Sequence, residues 1–378
     1  MTATERAVTA FEERFGEAAP VVVRAPGRIN LIGGHTTYGG GYAVLYPVDL
    51  HAVVALRPRE DGAITAYSLH DDEATFDLER FDRADNDSFG NLIKSAAWAL
   101  GTEGYALRGW EGVIATDLPP TLDVGGDAAL LLALMRAFSE TSGFTFEAQA
   151  MANIADKAYT DFIGARSILP SLYAIALSEP KGGVLLDTQS FAIEPVPYPP
   201  EARVLVLDTV SEPQTEEIER EVIARVDGFA EAAHNYKVTH LRDLSMARFE
   251  KDAESLDEHI ARRARHFLTE NGRTILAAEM IRSGALSTVG KMMHDSHVSL
   301  REEYEIGNEA ADEMIEAVMA QSNVFGARWS GFGAAAVALV RDFSADTISK
   351  LTVQAYKKAT GREATAVIVG PAAGIERL

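Results

Sequence analysis

The sequence predicts an α+β protein of two domains, and three observations carry that prediction. The chain has 378 residues, more than one hydrophobic core usually supports, and 47% of them are apolar, enough for two cores. Both halves combine strand-like runs with helical spacing of apolar residues. A proline-rich stretch at 195–200 interrupts regular structure near the middle of the chain. We therefore expect an N-terminal domain at residues 1–200 and a C-terminal domain at 201–378.

The first half begins as sheet and continues as helices. The run Val21-Val22-Val23 before Ala25-Pro26-Gly27 predicts a strand that ends in a turn, and 42–56 predicts a second strand. Apolar residues at helical spacing predict helices over 91–100, 128–138 and 150–162. We expect these helices to cover one face of the sheet.

The second half predicts a small sheet backed by helices. Residues 203–207, 334–340 and 365–369 have the composition of strands, while 345–359 has helical spacing. Long helical patterns fill 214–322.

Charge and composition exclude several classes of function. The chain carries 35 Lys and Arg residues against 56 Asp and Glu residues, a net charge of −21, so nucleic acid is not expected as a partner. The absence of cysteine excludes disulfides, thiolate catalysis and cysteine metal sites. No apolar run approaches the ~20 residues that span a bilayer, and the first residues lack the apolar core of a signal peptide. We expect a cytoplasmic protein with no membrane partner.

Residues 24–38 form the most informative stretch of the chain. They resemble the opening motif of galactokinases, in the GHMP kinase superfamily, which reads G-R-[VI]-N-L-I-G-E-H-x-D-Y. The family's glutamate and aspartate, which accept hydrogen bonds from sugar hydroxyls, are replaced here by Gly34 and Thr37. Three motif residues are kept, namely Arg28, His35 and Tyr38. The resemblance implies a sugar site at 34–38 that lacks two carboxylates.

Two later stretches extend the resemblance over most of the chain. Residues 263–271 resemble the family's R-A-x-H-V-x-x-E-N, and 296–305 resemble its S-H-x-S-L-R-D-D-Y-E. The resemblance implies the two-domain GHMP kinase fold. Its N-terminal domain is ribosomal-protein-S5-like, its C-terminal domain is ferredoxin-like, and the cleft between them holds the ligands.

The family's phosphate loop, L-P-x-G-x-G-L-S-S-S-A, falls on residues 118–128 and is degenerate. In the family, its glycines let backbone N–H groups approach the phosphates at a helix N-terminus. Thr121 and Asp123 replace the two glycines, and the three serines become Gly125, Gly126 and Asp127. A carboxylate about 4 Å from a phosphate oxygen costs on the order of 4 kcal/mol at an effective dielectric near 20. A magnesium ion held by Asp127 would reverse that sign.

The catalytic aspartate of the family is also replaced. The segment G-x-x-x-G-I-M-D-Q, whose aspartate is assigned to activating the sugar hydroxyl, puts Ser171 at that position. A general base commonly contributes about 10²–10⁴ in rate. Two other motifs also depart from the family pattern. Pro213 stands where the family has a histidine, and the third glycine-rich motif, at 326–335, is two residues shorter than the family's.

Several charged side chains have an alternative structural role. Arg28 either faces a phosphoryl group, as its family counterpart does, or pairs with a nearby acid such as Asp123 or Asp127, and we favour the ion pair. Those two aspartates, four residues apart, are interpreted as caps of a helix N-terminus. His35 either lies beside the sugar or only bonds backbone. His294 and His297 share a helix face, which suits a metal pair but more simply indicates packing.

Three hypotheses for function follow, and they share one fold. The first, which we rank highest, is a galactokinase-like protein that has lost or strongly reduced phosphorylation and survives as a sugar- or nucleotide-binding or regulatory pseudokinase. The second is an active kinase with a remodelled site that uses ATP and Mg²⁺, with Asp127 as the metal ligand. A protein without kinase activity would need no cofactor. The third is a subunit of an unidentified protein partner, its cleft closed by Thr121, Leu122 and Trp329.

Overall fold

A computed structural model describes residues 1–69, 72–209, 215–331 and 335–378, with the backbone alone at 215–219. Twelve strands lie in these ranges: β1 (Val21–Ile32), β2 (Tyr42–Pro58), β3 (Ala63–Ser68), β4 (Glu73–Asp77), β5 (Trp110–Thr116), β6 (Gly182–Asp187), β7 (Ile193–Pro197), β8 (Ala202–Asp208), β9 (Val324–Ser330), β10 (Ala335–Arg341), β11 (Thr365–Val369) and β12 (Glu376–Arg377).

The same ranges contain eleven α-helices: α1 (Ala3–Phe15), α2 (Ser88–Thr102), α3 (Gly126–Ser142), α4 (Ala148–Lys157), α5 (Leu169–Leu177), α6 (Thr215–Asn235), α7 (Met246–Asp252), α8 (Glu258–Arg282), α9 (Leu286–Glu302), α10 (Glu309–Met319) and α11 (Ala345–Thr360). A π-helical turn over Ala158–Ile163 extends α4. None of the described helices combines the length and the apolar character needed to cross a bilayer.

The larger sheet has eight strands and two covered faces. Its main path runs β12-β1-β2-β5-β3-β4, with β6 paired to β2 and β7 paired to β6. The predicted helices form, and α3 packs against β1 and β2 through a run of buried apolar side chains. The opposite face is covered by α1, through Ala3, Ala7 and Phe11, a helix that the sequence analysis missed.

The second sheet has four strands in the order β11-β8-β10-β9. The strands predicted at 203–207, 334–340 and 365–369 correspond to β8, β10 and β11. Helices α9 and α10 pack on β9, and α11 packs on β11. The two sheets fit a two-domain α+β architecture. The division at residue 200 stays a prediction, and the last strand, β12, pairs with β1 of the larger sheet.

Two predictions about turns are wrong, for different reasons. The strand predicted to stop at Ala25-Pro26-Gly27 continues to Ile32, because a register shift after Pro26 keeps β1 paired with β2. The proline-rich stretch was expected to lie outside regular elements, yet Pro195 and Pro197 belong to β7. That strand pairs with β6 alone, and an edge strand tolerates residues without an N–H.

Helix α9 approaches β9 closely at a pair of glycines. A Cβ at Gly290 would overlap the backbone carbonyl of Phe325, and one at Gly326 would overlap the backbone of Gly290. A third helical glycine, Gly272 on α8, is exposed and has no atom within 4 Å of where its Cβ would lie. The first pair sets the distance between helix and strand, whereas Gly272 has no such role.

We predict that Gly290→Ala lowers the free energy of unfolding by at least about 2 kcal/mol, because backbone atoms have to move to admit the methyl group. The matched control, Gly272→Ala, is expected to raise the free energy of unfolding by roughly 0.5–1 kcal/mol, because glycine is less favourable than alanine in a helix interior. Urea denaturation followed by circular dichroism measures both. Equal effects of the two substitutions would contradict the packing argument.

Candidate functional site

Strand β1 meets the loop before α3 at close range. A Cβ at Gly27 would overlap Leu118 and lie 2.6 Å from the carbonyl oxygen of Val124. The amide N–H of Arg28 donates to that same oxygen, at 2.8 Å. Glycine is therefore required at 27, since its missing side chain lets the loop rest on the strand. The contact brings residue 123 beside Arg28.

The Arg28 guanidinium donates hydrogen bonds to three groups of the chain. Its Nε donates to Ser171 Oγ at 2.9 Å, its Nη1 to the backbone oxygen of Asp123 at 2.6 Å, and its Nη2 to Asp123 Oδ1 at 2.7 Å. The arginine side chain is 12% exposed and the aspartate side chain 34%. The ion pair favoured from the sequence is present, with Asp123 as the acid.

Ser171 reaches this cluster from the first turn of α5. Pro170 occupies the same turn, where a residue without an N–H does not interrupt helical hydrogen bonding. Ser171 is buried, and its hydroxyl accepts from Arg28. The structure thus brings the position of the family's aspartate next to the retained arginine, as the resemblance implies.

The phosphate-loop positions surround the N-terminus of α3. Gly125 has a φ of 72°, which favours glycine, and it precedes the first helical residue, Gly126. The predicted capping is wrong: Gly125 is the N-cap, and no side chain caps the helix there. Asp123 binds Arg28 instead, while Asp127 lies in the first turn and accepts from the Tyr159 hydroxyl at 2.6 Å.

The first part of this loop packs against the second sheet. Thr121 Oγ1 donates to Asp208 Oδ2 at 2.7 Å, at the end of β8. Leu122 is buried in the hydrophobic core that includes β1 and β2, and Trp329 is buried in a second core beside β8 and β10. The side chains behind the closed-cleft hypothesis are therefore packed, while Asp123 and Gly125 are partly exposed and Gly126 and Asp127 are exposed.

The sugar motif is anchored from α8 by a buried carboxylate. The amide N–H groups of Gly33 and Gly34 donate to Glu270 Oε1 at 3.1 and 3.2 Å, and Ser296 Oγ donates to it at 2.6 Å. The Glu270 side chain has no exposed surface. One carboxylate thus fixes the backbone of the loop that carries His35.

Charges around Glu270 keep it ionised. Burial alone would raise its pKa, but the nearby positive charges of Arg273, at 2.9 Å, and Arg328 outweigh burial, and the net effect lowers the pKa to about 2. Burial also lowers the pKa of the neighbouring His266, to about 4, so near pH 7 the histidine is neutral while Glu270 is charged. Its ring contacts the carbonyl oxygen of Gly34.

The two retained polar residues of the sugar motif bind each other. His35 Nε2 lies 3.1 Å from the carbonyl oxygen of Gly331, and its Nδ1 is hydrogen-bonded to the Tyr38 hydroxyl. A carbonyl only accepts, so Nε2 carries the hydrogen and Nδ1 accepts from Tyr38. Burial, and then the charge of Arg328, lower the His35 pKa to about 3. The ring is therefore neutral near pH 7, and the backbone contact foreseen for it is present.

A side chain at position 34 would require the end of Arg328 to shift. A Cβ on Gly34 would overlap the guanidinium of Arg328, a side chain with 1% exposure. Arg328 Nη1 also donates to the carbonyl oxygen of Asn30 at 3.1 Å. Thr37, at the other lost carboxylate, is half-buried, and its backbone oxygen accepts from Thr188 at 2.9 Å.

Sequence reasoning missed several residues of this site. Glu270 and Arg328 lie inside recognised stretches, R-A-x-H-V-x-x-E-N and G-A-R, so the resemblance was a usable signal. Asp208 also lies in a stretch aligned to a family motif, N-T-x-x-x-H-x-L, whereas Tyr159 had no such signal, because its contact depends on the path of the phosphate loop. The departures at Pro213 and at 332–334 of the third motif lie outside the described residues.

A magnesium site would depend on bound nucleotide. Among the described residues, no group of three or more His, Asp or Glu side chains is arranged to hold a metal ion. His297, half of the histidine pair considered above, lies 3.2 Å from Asp312. Mg²⁺ in kinases usually takes one or two carboxylates together with phosphate oxygens and waters, so Asp127 beside a nucleotide fits that donor set.

Comparison with known proteins identifies the family. The model of the galactokinase galactose-binding signature matches residues 9–58. The galactokinase of Chloroflexus aurantiacus is 32% identical over 374 residues, which cover 97% of this chain and 95% of that protein. This chain belongs to the galactokinase family. The galactokinase of Roseiflexus sp. is 30% identical, with the same coverage of both chains.

Solved structures agree with the family assignment. The crystal structure of Lactococcus lactis galactokinase complexed with galactose superposes with a TM-score of 0.89 at 27% identity and covers 98% of both chains. A mevalonate kinase structure superposes with a TM-score of 0.67 at 12% identity, covering 93% of this chain and 99% of that one, and supports the fold alone. The predicted two-domain GHMP kinase fold of this galactokinase-family chain is confirmed.

We predict that stability falls as the pH drops from about 6.5 to 5, because buried histidines resist protonation. Unfolded histidine takes a proton near pH 6.5, whereas His35 stays neutral down to about pH 3 in the folded chain, so the unfolded state binds more protons. His35→Gln should reduce the dependence of the unfolding free energy on pH by about 1 kcal/mol per pH unit in that range.

Urea denaturation at intervals between pH 7.5 and 5 measures this dependence. The control is His234→Gln, because His234 is exposed on α6 and its replacement should leave the slope unchanged. An unchanged slope in His35→Gln would show that His35 takes up protons to the same extent in the folded and unfolded chains, and would contradict the prediction.

Proposed function

We propose that this member of the galactokinase family phosphorylates a hexose of the galactose class, with ATP as phosphoryl donor and Mg²⁺ as its counterion. The observation that carries the proposal is the Arg28 cluster. β1, the loop before α3 and the first turn of α5 converge on one guanidinium, and a carboxylate, Asp123, lies against it. The site therefore keeps an arginine and an acid together although Ser171 replaces the family's aspartate.

The N-terminus of α3 suits the phosphates of the nucleotide. A 17-residue helix presents free backbone N–H groups at its start, and these favour anions. A Cβ at Gly126 would meet no atom within 4 Å, so the backbone is open there. Gly125, Gly126 and Arg28 would hold the phosphates, and Asp127 would hold the metal ion that offsets its own charge.

The sugar is expected to bind more weakly than in relatives with an intact motif. Hydrogen bonds to charged groups contribute about 1.5–3 kcal/mol each, and the family's two carboxylate acceptors are absent at Gly34 and Thr37. Galactose is the sugar bound by the Lactococcus lactis relative. Sugars that differ from galactose at the hydroxyls facing those two positions therefore belong in any substrate screen.

A second candidate is the pseudokinase ranked first from the sequence, which binds sugar or nucleotide without transfer. Two observations favour it: Asp123 and Asp127 bring negative charge to the phosphate loop, and Arg328 fills the space beside Gly34. The same assay separates the two candidates, because only a kinase releases ADP in a sugar-dependent way.

We expect sugar-dependent ADP release from MgATP with at least one member of a panel of hexoses, deoxyhexoses and hexosamines. Arg28→Gln should lower kcat by about 10²–10³, because it removes a preorganised positive charge from the transferring phosphoryl group. The matched control is Arg24→Gln, which breaks an arginine–carboxylate pair on the same strand, Arg24 with Glu376 at 2.5 Å, and should leave turnover unchanged.

Absence of ADP release across the panel, together with a thermal shift on adding sugar or ATP, would refute transfer and support the pseudokinase. Sugar-dependent ADP release that is unchanged in Arg28→Gln would contradict the role proposed for the Arg28 cluster.

A further inference from the structure

The Asp123 carboxylate and the Ser171 hydroxyl bind the same edge of one guanidinium. Arg28 donates to Ser171 through Nε and to Asp123 through Nη2. On Arg24 of the same strand, Nε and Nη2 both donate to a single oxygen of Glu376, at 2.8 and 2.5 Å. The Nε and Nη2 donors of an arginine can therefore reach a single acceptor group. At Arg28 the Ser171 hydroxyl and the Asp123 carboxylate occupy that place together.

From this juxtaposition we propose that Asp123 is the proton acceptor of the reaction, a carboxylate moved from α5 to the phosphate loop. The proposal rests on the proposed kinase function. In relatives, the acid comes from the position of Ser171. In this chain it comes from a loop position where those relatives have glycine, and Arg28 holds it.

Hydrogen-bond partners and exposure together distinguish Asp123 from the other acids of the site. Its side chain is 34% exposed, whereas Asp208 is 6% exposed and bound to Thr121. Asp127 is also exposed, but it accepts from Tyr159, and Arg28 pairs with Asp123. Asp123 Oδ1 binds Arg28, and within the described part of the chain Oδ2 makes no hydrogen bond and remains able to accept a proton.

The groups around Asp123 suit this role. Arg28 lies on one side, and Gly331 lies on another, so close that a Cβ at 331 would be 2.9 Å from the Cβ of Asp123. Arg328 and Tyr38 also interact with the Asp123 charge through space. Glycine at 331 therefore avoids a clash with the Asp123 side chain.

In the proposed step one oxygen–phosphorus bond forms and another breaks. The sugar hydroxyl gives its proton to Asp123 Oδ2, and its oxygen forms a bond to the terminal phosphorus of the nucleoside triphosphate. The bond from that phosphorus to the bridging oxygen breaks, and its electron pair leaves with the diphosphate. Arg28 offsets the negative charge near the transferring group, and Asp123 later returns its proton to solvent.

The test compares four variants on the panel sugar with the highest wild-type turnover. Asp123→Asn keeps the shape of the side chain but accepts no proton, and we expect kcat to fall by about 10²–10⁴ with KM changed less than about threefold. Asp123→Gly, which restores the family's residue, should lose turnover similarly. Glu376→Gln, which removes the acid of the Arg24 pair, is the matched control and should retain it.

The fourth variant, Asp123→Asn with Ser171→Asp, returns the acid to α5 beside Arg28 Nε and should recover at least tenfold of the lost kcat. Two readouts do not depend on turnover: the dissociation constants for sugar and ATP by calorimetry, and the urea midpoint of each variant. Sugar affinity is expected to stay within about threefold of wild type in Asp123→Asn.

Each outcome decides the proposal. Wild-type turnover with an unchanged kcat in both Asp123→Asn and Asp123→Gly would overturn it and leave the kinase function standing. Lost turnover with no recovery in the double variant would assign Asp123 a positioning role only, and would overturn it too. Absence of wild-type turnover across the panel would overturn the kinase function and this inference together.

Discussion

The buried carboxylate of Glu270 is the constraint on which the geometry of the site depends. It lies on α8, far along the chain from the sugar motif, yet it accepts the backbone N–H groups of Gly33 and Gly34. A buried ion costs several kcal/mol unless it is paired and fully hydrogen-bonded, and Arg273 and Ser296 complete its shell. The loop between β1 and β2 is therefore held by one charge that is expensive to leave unpaired.

Much of the fold could be predicted from the sequence, because hydrophobic spacing reports burial directly. The spacing in 128–138 led to α3, and 365–369 corresponds to β11. The prediction was wrong where tertiary pairing overrode a local signal. Pro26 lies within β1 because a shift in register absorbs it, and Pro195 lies on an edge strand that needs no N–H from it. Helix α1 was missed because its buried stripe is short, with Ala3, Ala7 and Phe11 as its buried residues.

The positions of the site were predictable from the sequence, and its contacts only in part. The resemblance located Arg28 and Ser171, and the structure brings them within 2.9 Å. An ion pair of Arg28 was foreseen, but the sequence could not choose Asp123 over Asp127, because the contact depends on a glycine at 27 that admits the carbonyl of Val124. Spacing alone suggested helix capping for this acid, but capping competes with pairing to arginine, and an arginine within reach offers the stronger, charge-assisted bonds.

The overlap between position 34 and Arg328 has a consequence for redesign of this loop. A glutamate introduced at 34 would meet a buried guanidinium that is already balanced by Glu270 and bonded to Asn30. The end of the Arg328 side chain would have to shift to admit the new carboxylate. Substitutions at these two positions are therefore coupled, and the effect of changing both is expected to differ from the sum of the two single effects.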